Sequence, residues 1–312
     1  MSFLLETALT IFIFLTNHQN TKQCKTIQGK SLKVLFIGCG DIAQRTASFM
    51  VEKHLCFGLR RNPMGLPSYI SPIAANAADP QELLSALSQS FDAWVVTMTP
   101  AEFTQQAYEE AYSAVATAIA ETVKVLTNPP RLIVWVSSTS VYGDCDGGWV
   151  DETTKADPVT FSGKILLKAE KIIQNLPCAS TVVRFSGIYG PGRARLIEQV
   201  RSGKGRPKTP QQWSNRIHAD DCGAVLAHLV NLFESGKSIE PIYLASDCQP
   251  VTQHDIRNWL ADKLSVDLVE QSVATGAIRR CSNQRLLESG FNFQYPTFKE
   301  GYSALIEDQK NS

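Results

Sequence analysis

The stretch that decides the fold is Val34-Leu-Phe-Ile-Gly-Cys-Gly-Asp-Ile-Ala43. Its first four residues form a continuous apolar run, which is typical of a strand buried on both faces. The run stops at Gly38, and a helix is predicted to follow over residues 41–53. The segment therefore predicts a buried strand, a glycine turn and a helix in direct succession.

The turn has the pattern G-x-G-x-x-A. Gly38 permits a tight bend, Gly40 lets backbone N–H groups approach a pyrophosphate, and the small Ala43 allows the helix to pack on the strand. Free amides and the helix dipole favour an anion at this point. We therefore predict a dinucleotide site that includes Gly38, Gly40, Asp41, Ile42 and Ala43. The alternative is an ordinary glycine-rich turn.

Short apolar runs and longer helical patterns alternate along the first two thirds of the chain. Strands are predicted at 34–37, 55–59, 72–75, 93–97, 132–136 and 180–185, and helices at 41–53, from 79 onward, 100–126 and 163–174. This alternation requires right-handed crossovers and a parallel sheet that is covered on both faces. The predicted fold class is α/β, a Rossmann-type doubly wound parallel sheet with a small C-terminal mixed lobe.

The sheet-forming part is expected to end near residue 190. We predict an NAD(P)-binding Rossmann domain over 32–190 and a C-terminal substrate lobe over 191–312, interleaved as one folded unit. Residues 1–31 are expected to be a disordered or loosely attached leader. The apolar run at 3–15 contains Glu6 and is too short to span a bilayer.

Composition limits the function classes. The chain has 312 residues, 44% of them hydrophobic, with 30 basic and 30 acidic side chains. A net charge of zero argues against a nucleic-acid binder, because such affinity depends on neutralising phosphates. The eight cysteines form no CxxC pair and no zinc-like cluster, so no metal site is predicted. Scattered thiols favour a reducing, cytoplasmic location without a membrane anchor.

The end of the second predicted strand bears on the choice of cofactor. It reads Gly58-Leu-Arg60-Arg61-Asn62 and carries no acid that could bind a free ribose 2′-hydroxyl. Arginine pairs with a 2′-phosphate, which favours NADP(H) over NAD(H). The alternative is that these arginines are solvated loop charges. Other strand ends also border ligands in open α/β sheets, which adds Thr97, Thr99 and Ser137 to the predicted cofactor contacts.

Three further motifs follow in order: Ser137-Ser138-Thr-Ser-Val-Tyr142-Gly-Asp144, Arg184-Phe-Ser-Gly-Ile-Tyr-Gly-Pro-Gly192 and Arg216-Ile-His-Ala-Asp-Asp221. With the closing Gly290-Phe-x-Phe-x-Tyr-Pro segment, they resemble the extended and atypical short-chain dehydrogenase/reductases. The likeness covers residue 32 to the C-terminus. It is specific to that superfamily of sugar-nucleotide epimerases and dehydratases, and it does not identify a substrate.

The resemblance implies a Ser or Thr, a Tyr and a Lys as the hydride-transfer machinery. Ser138 matches the Ser/Thr position. Ser162 stands where the family has Tyr, and Leu166 where it has Lys. Lys164 and Lys168 are near, but two residues along a helix turn a side chain about 200° away. Tyr142, which the family usually uses structurally or beside the substrate, is a hypothetical replacement acid/base.

The segment 193–208 is rich in basic residues and contains a single acid, Glu198. In the resembled enzymes it borders the substrate diphosphate, which suits a nucleotide-sugar or another phosphorylated substrate; a solvated basic surface is the alternative. His218, Asp220 and Asp221 are interpreted as a strand end and helix N-cap. Cys39, in the glycine turn, is interpreted as a small spacer, with a reactive thiol as the alternative.

The function predicted from the resemblance is an NAD(P)-dependent epimerase/dehydratase or reductase that lacks the usual Tyr-x-x-x-Lys pair. The alternative is a catalytically silent NADP(H)-binding sensor or scaffold, so enzymatic activity stays open at this point. A homodimer through the helices at 100–126 and 163–174 is expected from the resemblance alone.

Overall fold

Seven parallel strands form the central sheet of the computed structural model, which describes residues 31–271 and 278–311. Their spatial order is β12-β7-β5-β4-β1-β2-β3. The strands, numbered along the chain, are β1 (Lys33–Ile37), β2 (Leu55–Arg60), β3 (Ile70–Ala74), β4 (Ala93–Val96), β5 (Leu132–Ser138), β6 (Trp149–Val150), β7 (Ala179–Phe185), β8 (Gly187–Tyr189), β9 (Lys204–Gly205), β10 (Trp213–Ser214), β11 (Arg216–His218), β12 (Ile242–Ala245), β13 (Val251–Thr252), β14 (Val269–Glu270) and β15 (Arg280–Cys281).

Helices connect these strands. They are α1 (Asp41–Ser48), α2 (Pro80–Ala86), α3 (Gln105–Tyr108), α4 (Val115–Val125), α5 (Phe161–Gln174), α6 (Arg195–Arg201), α7 (Ala219–Glu234), α8 (Gln253–Leu264), α9 (Gln284–Glu288) and α10 (Phe298–Asn311). A π-helical turn, Glu109–Ala114, joins α3 to α4 without a break in the rod.

Side chains of β1 point alternately into two cores, as the period of a strand requires. Val34 and Phe36 enter the core that contains α1 and α7, whereas Leu35 and Ile37 enter the core that contains α2, α4 and α5. All four are fully buried. The sheet is therefore covered on both faces, and the predicted doubly wound Rossmann-type fold is confirmed.

One expectation about the sheet is wrong. The sheet does not end near residue 190, because β12 pairs in parallel with β7 and forms its outer strand. α7 supplies the crossover by packing beside α1. The four-residue apolar run Ile242–Ala245 gave too little periodicity to be distinguished from a loop.

The C-terminal part also has a core of its own. Buried side chains of α6, α8 and α10 meet there, among them Ile197, Leu260 and Tyr302. The small strand pairs β10–β13 and β9–β14 lie in the same part of the chain. The functional division into 32–190 and 191–312 stays a prediction, and residues 1–30 of the expected leader lie outside the described residues.

Two features are absent from residues 31–271 and 278–311. No helix there is long and apolar enough to cross a membrane. In the same residues, no group of three or more His, Cys, Asp or Glu side chains is placed to hold a metal ion.

Candidate functional site

The glycine turn lies at the carboxyl end of the sheet. Gly38 has a φ of +79°, a conformation that side chains disfavour. A Cβ atom at this position would lie 2.6 Å from Met98 Sδ. The N–H groups of Gly38 and Cys39 donate to the Leu59 carbonyl at 2.9 and 3.2 Å. The turn is thus fixed between β2 and the segment after β4, with no room for a side chain.

α1 begins directly from this turn. Its N-cap residue is Gly40, which makes no side-chain capping bond, and the first turn of any helix has N–H groups without intrahelical partners. Thr97 Oγ1 donates to the Gly38 carbonyl at 2.8 Å and holds the turn against the end of β4. Ala43 is fully buried in the core beneath. The local structure is suited to an anion at the helix N-terminus.

Two cavities open from the turn. The arginine-side cavity has a volume of about 400 Å³ and includes Gly38, Arg60 and Arg61 in its lining. The serine-side cavity has a volume of about 390 Å³ and includes Asp41, Ile42, Ser137 and Ser138. Both are lined by Gly40, Thr97, Met98 and Thr99. They therefore meet beside the glycine turn and form one cleft along the carboxyl edge of the sheet.

Arg60 ends β2 and lines the first of these cavities. It donates through Nη1 to the Cys39 carbonyl at 3.3 Å and through Nη2 to the Met64 carbonyl at 2.5 Å. Its Nε is buried and has no hydrogen-bond partner. Arg61 is exposed. The carboxylate that lines this cavity is Glu110, which accepts from Gln106 Nε2 at 2.9 Å.

Ser138 closes β5 and faces the serine-side cavity. Its Oγ accepts from the Ser140 N–H at 3.1 Å, which leaves its own O–H free to donate. Leu166 lies across the same cavity. Ser162 is buried and shares a hydrogen bond of 3.1 Å with Thr160 Oγ1.

The two nearby lysines do not replace the missing one. Lys164 and Lys168 are both exposed, on a face of α5 that turns away from the serine-side cavity. Leu166, between them, is 3% exposed. The position of the expected lysine is thus occupied by an apolar side chain that packs into the core.

A buried polar network lies beneath Ser138. Ser137 Oγ donates to Glu170 Oε1 at 2.5 Å, and Arg184 donates to the same carboxylate through Nε at 3.2 Å and Nη2 at 2.6 Å. Arg184 Nη1 also donates to Tyr142 Oη at 2.8 Å. Every member is 5% exposed or less. The hydroxyl of Ser137 is therefore already used within the protein.

Tyr142 belongs to this network. Its hydroxyl donates to the Asp151 carbonyl at 2.6 Å, and its ring lies 4.9 Å from the Arg184 guanidinium. Burial raises the pKa of Tyr142 to about 12, which Arg184 opposes only in part. Tyr142 is also absent from the lining of the serine-side cavity. The geometry thus argues against the hypothesis that Tyr142 transfers protons, and gives it a structural role.

Ion pairs connect α1 to the C-terminal part. Asp41 pairs with Arg193 and, at 2.9 Å, with Arg45 Nε, and Arg45 in turn pairs with Asp220. Arg193 lines the serine-side cavity. It is the member of the basic segment 193–208 that reaches this cavity.

His218 and Cys39 have the structural roles that their sequence context suggested. His218 Nδ1 accepts from the Asp220 N–H at 3.2 Å and caps α7, and burial lowers its pKa. The interpretation as an N-cap is confirmed. Cys39 is fully buried, and burial raises its pKa to about 11, so the thiol is kept protonated and unreactive.

The sequence reasoning missed two tyrosines. Tyr108 and Tyr112 line the serine-side cavity, from the helical rod that contains the π-helical turn. Their rings are 5.5 Å apart. Their spacing of four residues on a predicted helix was the available signal that they share a face.

Known proteins resemble this chain over most of its length. No family model matches it. Protein YeeZ of Escherichia coli K12 is 31% identical over 249 residues, which cover 74% of this chain and 81% of YeeZ. A solved structure from Methylobacillus flagellatus, described as a NAD-dependent epimerase/dehydratase, is 32% identical with a TM-score of 0.75. That match covers 89% of this chain and 99% of the other.

More distant structures share the fold. The human epimerase family protein SDR39U1, solved with NADPH, has a TM-score of 0.72 at 16% identity and covers 88% of this chain and 99% of its own. MoeE5, solved with UDP-glucuronic acid and NAD, has a TM-score of 0.71 at 16% identity, over 90% and 99% of the two chains. The family itself follows from the two matches above 30% identity. The chain belongs to the NAD-dependent epimerase/dehydratase family of extended short-chain dehydrogenases/reductases.

Proposed function

We propose that the chain binds NADP(H) along the cleft, with its adenosine end in the arginine-side cavity and its nicotinamide in the serine-side cavity. One observation carries this proposal: two cavities of similar volume meet at Gly40, where α1 begins without a side-chain cap. An extended dinucleotide needs an anion site between two pockets, and this cleft offers that arrangement.

The phosphate on the adenosine ribose is assigned to Arg60 and Arg61. Arg60 has an unpaired, buried Nε, and Arg61 is exposed at the cavity wall. Glu110 is the acid in this lining, and it stands on the π-helical turn rather than at the end of β2. The structure of SDR39U1 with NADPH supports NADP(H) as the cofactor of this chain. The structure of MoeE5 with NAD, at the same identity of 16%, favours NAD(H) instead.

The proposed reaction is oxidoreduction, epimerisation or dehydration of a nucleotide-sugar or a related phosphorylated substrate. MoeE5 binds UDP-glucuronic acid or UDP-glucose with NAD. In this chain Arg193 lines the serine-side cavity and can exchange its pairing with Asp41 for a substrate phosphate. A bound nicotinamide supplies hydride transfer. Ser138 orients the reacting oxygen through its free O–H.

A second candidate is a catalytically silent NADP(H) sensor. The observation that favours it is the pair Ser162 and Leu166 at the Tyr and Lys positions, where neither side chain can act as a general acid or base at neutral pH. Both candidates need the same cofactor cleft, so activity rather than binding distinguishes them.

The test is a fluorescence titration with NADPH and with NADH, followed by incubation with UDP-glucose and UDP-glucuronic acid. We expect NADPH to bind at least about tenfold tighter than NADH, which corresponds to about 1.4 kcal/mol. Replacement of Arg61 by Ala removes most of that preference. The control is Lys155→Ala, in the exposed loop before α5. It also removes one surface cation, but we expect it to leave the preference for NADPH over NADH unchanged.

The outcomes separate the candidates. Conversion of a nucleotide-sugar supports the enzyme. Tight NADPH binding without conversion or cofactor oxidation supports the sensor. Failure to bind either cofactor, or tighter binding of NADH, contradicts the proposed assignment of the arginine-side cavity.

A further inference from the structure

The serine-side cavity contains few groups that can exchange a proton. Of the residues that line it, four are ionisable: Asp41, Tyr108, Tyr112 and Arg193. Asp41 and Arg193 form an ion pair with each other. The two tyrosine hydroxyls make no hydrogen bond within the described residues, and both side chains are half-buried. The phenols are thus the uncommitted acid/base groups of this cavity.

The two phenols differ in depth. The Tyr108 ring contacts the rings of Phe161 and Phe103, at centroid distances of 5.5 and 5.6 Å, and Phe103 is 71% exposed. Tyr112 lies inward, with its ring 6.5 Å from that of Trp135, which is 1% exposed. Trp135 belongs to β5, the strand that ends at Ser138. Tyr108 therefore forms the outer wall of the cavity, and Tyr112 the inner wall on the side of β5.

The backbone that carries Tyr112 is unusual. Tyr112 lies within the π-helical turn Glu109–Ala114, between two α-helical segments. Such a turn inserts an extra residue into a helix and redirects the side chains it carries, and it often occurs at functional sites. Here it carries Tyr112, the inner of the two phenols that line the cavity. Leu166 faces the same cavity, so no cation from α5 competes for this hydroxyl.

We propose that Tyr112 is the proton-transfer residue that replaces the Tyr of the missing Tyr-x-x-x-Lys pair. The proposal rests on the proposed function, since it requires the nicotinamide in the serine-side cavity. A bound dihydronicotinamide supplies a hydride to the carbonyl carbon of the substrate. Tyr112 Oη donates its proton to the carbonyl oxygen, which receives the electron pair of the breaking π bond. The product is an alcohol, and the phenolate takes a proton from water.

Ser138 acts beside Tyr112 in this scheme. Its O–H donates a hydrogen bond to the same substrate oxygen, while its Oγ stays fixed by the Ser140 N–H. Burial, together with the neighbouring Tyr108, raises the pKa of Tyr112. The free protein therefore keeps this phenol protonated. A positively charged oxidised nicotinamide nearby lowers that pKa again and favours the phenolate that the reverse reaction needs.

The test measures this ionisation without a substrate. 3-Fluorotyrosine is incorporated at position 112, and its ¹⁹F signal is followed against pH in the free protein, with NADP⁺ and with NADPH. This replacement keeps the ring and hydroxyl, so folding is preserved, and the fluorine brings the titration to a lower pH. We expect NADP⁺ to increase the ionisation constant of the phenol at least about tenfold over NADPH. The same label at Tyr69, which lies outside both cavities and is 37% exposed, shows no such difference.

Other results overturn the inference in distinguishable ways. If both cofactors bind but the ionisation constant at position 112 differs less than about twofold between them, Tyr112 does not lie near the nicotinamide, and the proposal is contradicted. A tenfold change at position 108 with none at 112 assigns the role to the outer phenol and contradicts the proposal. If separate fluorescence titrations show that neither NADP⁺ nor NADPH binds, the proposed function itself fails and the inference fails with it.

Discussion

The two cavities of the cleft differ in how closely they follow the family pattern. The arginine-side cavity is formed by the elements that the family pattern predicts, a glycine turn and the end of β2. The serine-side cavity keeps Ser138 but has Leu166 where the pattern requires a lysine. The arginine-side cavity thus keeps the family pattern, while the serine-side cavity departs from it at Leu166.

Polar groups show the same contrast within the serine-side cavity. At its wall, Ser137 donates to Glu170, which also accepts from Arg184, and all three side chains are buried. In the cavity itself, the hydroxyls of Tyr108 and Tyr112 have no partner within the described residues. Neither hydroxyl is among the buried polar atoms, so both are accessible to a ligand.

The largest effect is expected from a change in the buried network that contains Glu170 and Arg184. Arg184→Met leaves the Glu170 carboxylate buried without its cation, and we expect the free energy of unfolding to fall by about 3–5 kcal/mol. Urea denaturation measures the change. The double variant Arg184→Met/Glu170→Met is the control, because removal of both charges costs less than removal of one. A loss below about 1 kcal/mol for the single variant would show that the pair does not support the cavity.

The next effect tests the glycine turn. Gly38→Ala places a Cβ against Met98 at a φ of +79°, so we expect NADPH affinity to fall at least about 100-fold, or about 2.7 kcal/mol. Gly236→Ala is a matched control, since Gly236 also has a φ of +79° and a Cβ added there would meet no atom within 4 Å. Both variants carry the same backbone strain. Equal NADPH affinity in both would contradict the assignment of the turn.

A smaller effect on stability is expected at Asp247, a second buried carboxyl group that, unlike Glu170, has no ion-pair partner among the described residues. Asp247 is 2% exposed, and its Oδ2 has no hydrogen-bond partner. Burial raises the pKa of Asp247 to about 7, although the Gln249 N–H and Arg216 oppose this. An unfolded chain releases this proton near pH ~4. Between those two pH values the folded protein holds a proton that the unfolded chain has lost.

The contribution of Asp247 to the free energy of unfolding therefore falls as the pH rises from about 4 to about 7. Above pH ~7 that contribution no longer changes with pH. Asp247→Asn removes this dependence. We expect the variant to be more stable than the unaltered protein by on the order of 1–3 kcal/mol at pH 8 and equal to it near pH 4. Denaturation curves at several pH values measure the difference. A difference that grows towards acid pH would contradict this assignment.

Local patterns in the sequence were enough to predict the fold around the glycine turn. The apolar run before Gly38, the glycine spacing and the alternation of strands and helices each depend on neighbouring residues, and the structure confirmed the fold they predicted. β12 was missed because four apolar residues carry too little periodicity. Its place in the sheet depends on α7 returning beside α1, a long-range contact that no local pattern shows.

The serine-side cavity was predicted only in part for the same reason. Ser138 was predicted from the family resemblance, by its spacing to Val141-Tyr142-Gly143. Tyr112 comes from a different helix, and its position depends on a π-helical turn that has no reliable sequence signal. The network around Tyr142 could not be predicted, because Glu170 and Arg184 lie far from Tyr142 in the sequence and meet it only in the folded core.

A crystal structure of the protein with NADPH tests the assignment of the two cavities most directly. The predicted result is a dinucleotide whose ribose phosphate lies at Arg60 and Arg61, whose pyrophosphate lies at the start of α1, and whose nicotinamide faces Ser138 and Tyr112. A nicotinamide placed outside the serine-side cavity, or a cofactor that does not touch the turn at Gly38, would contradict it.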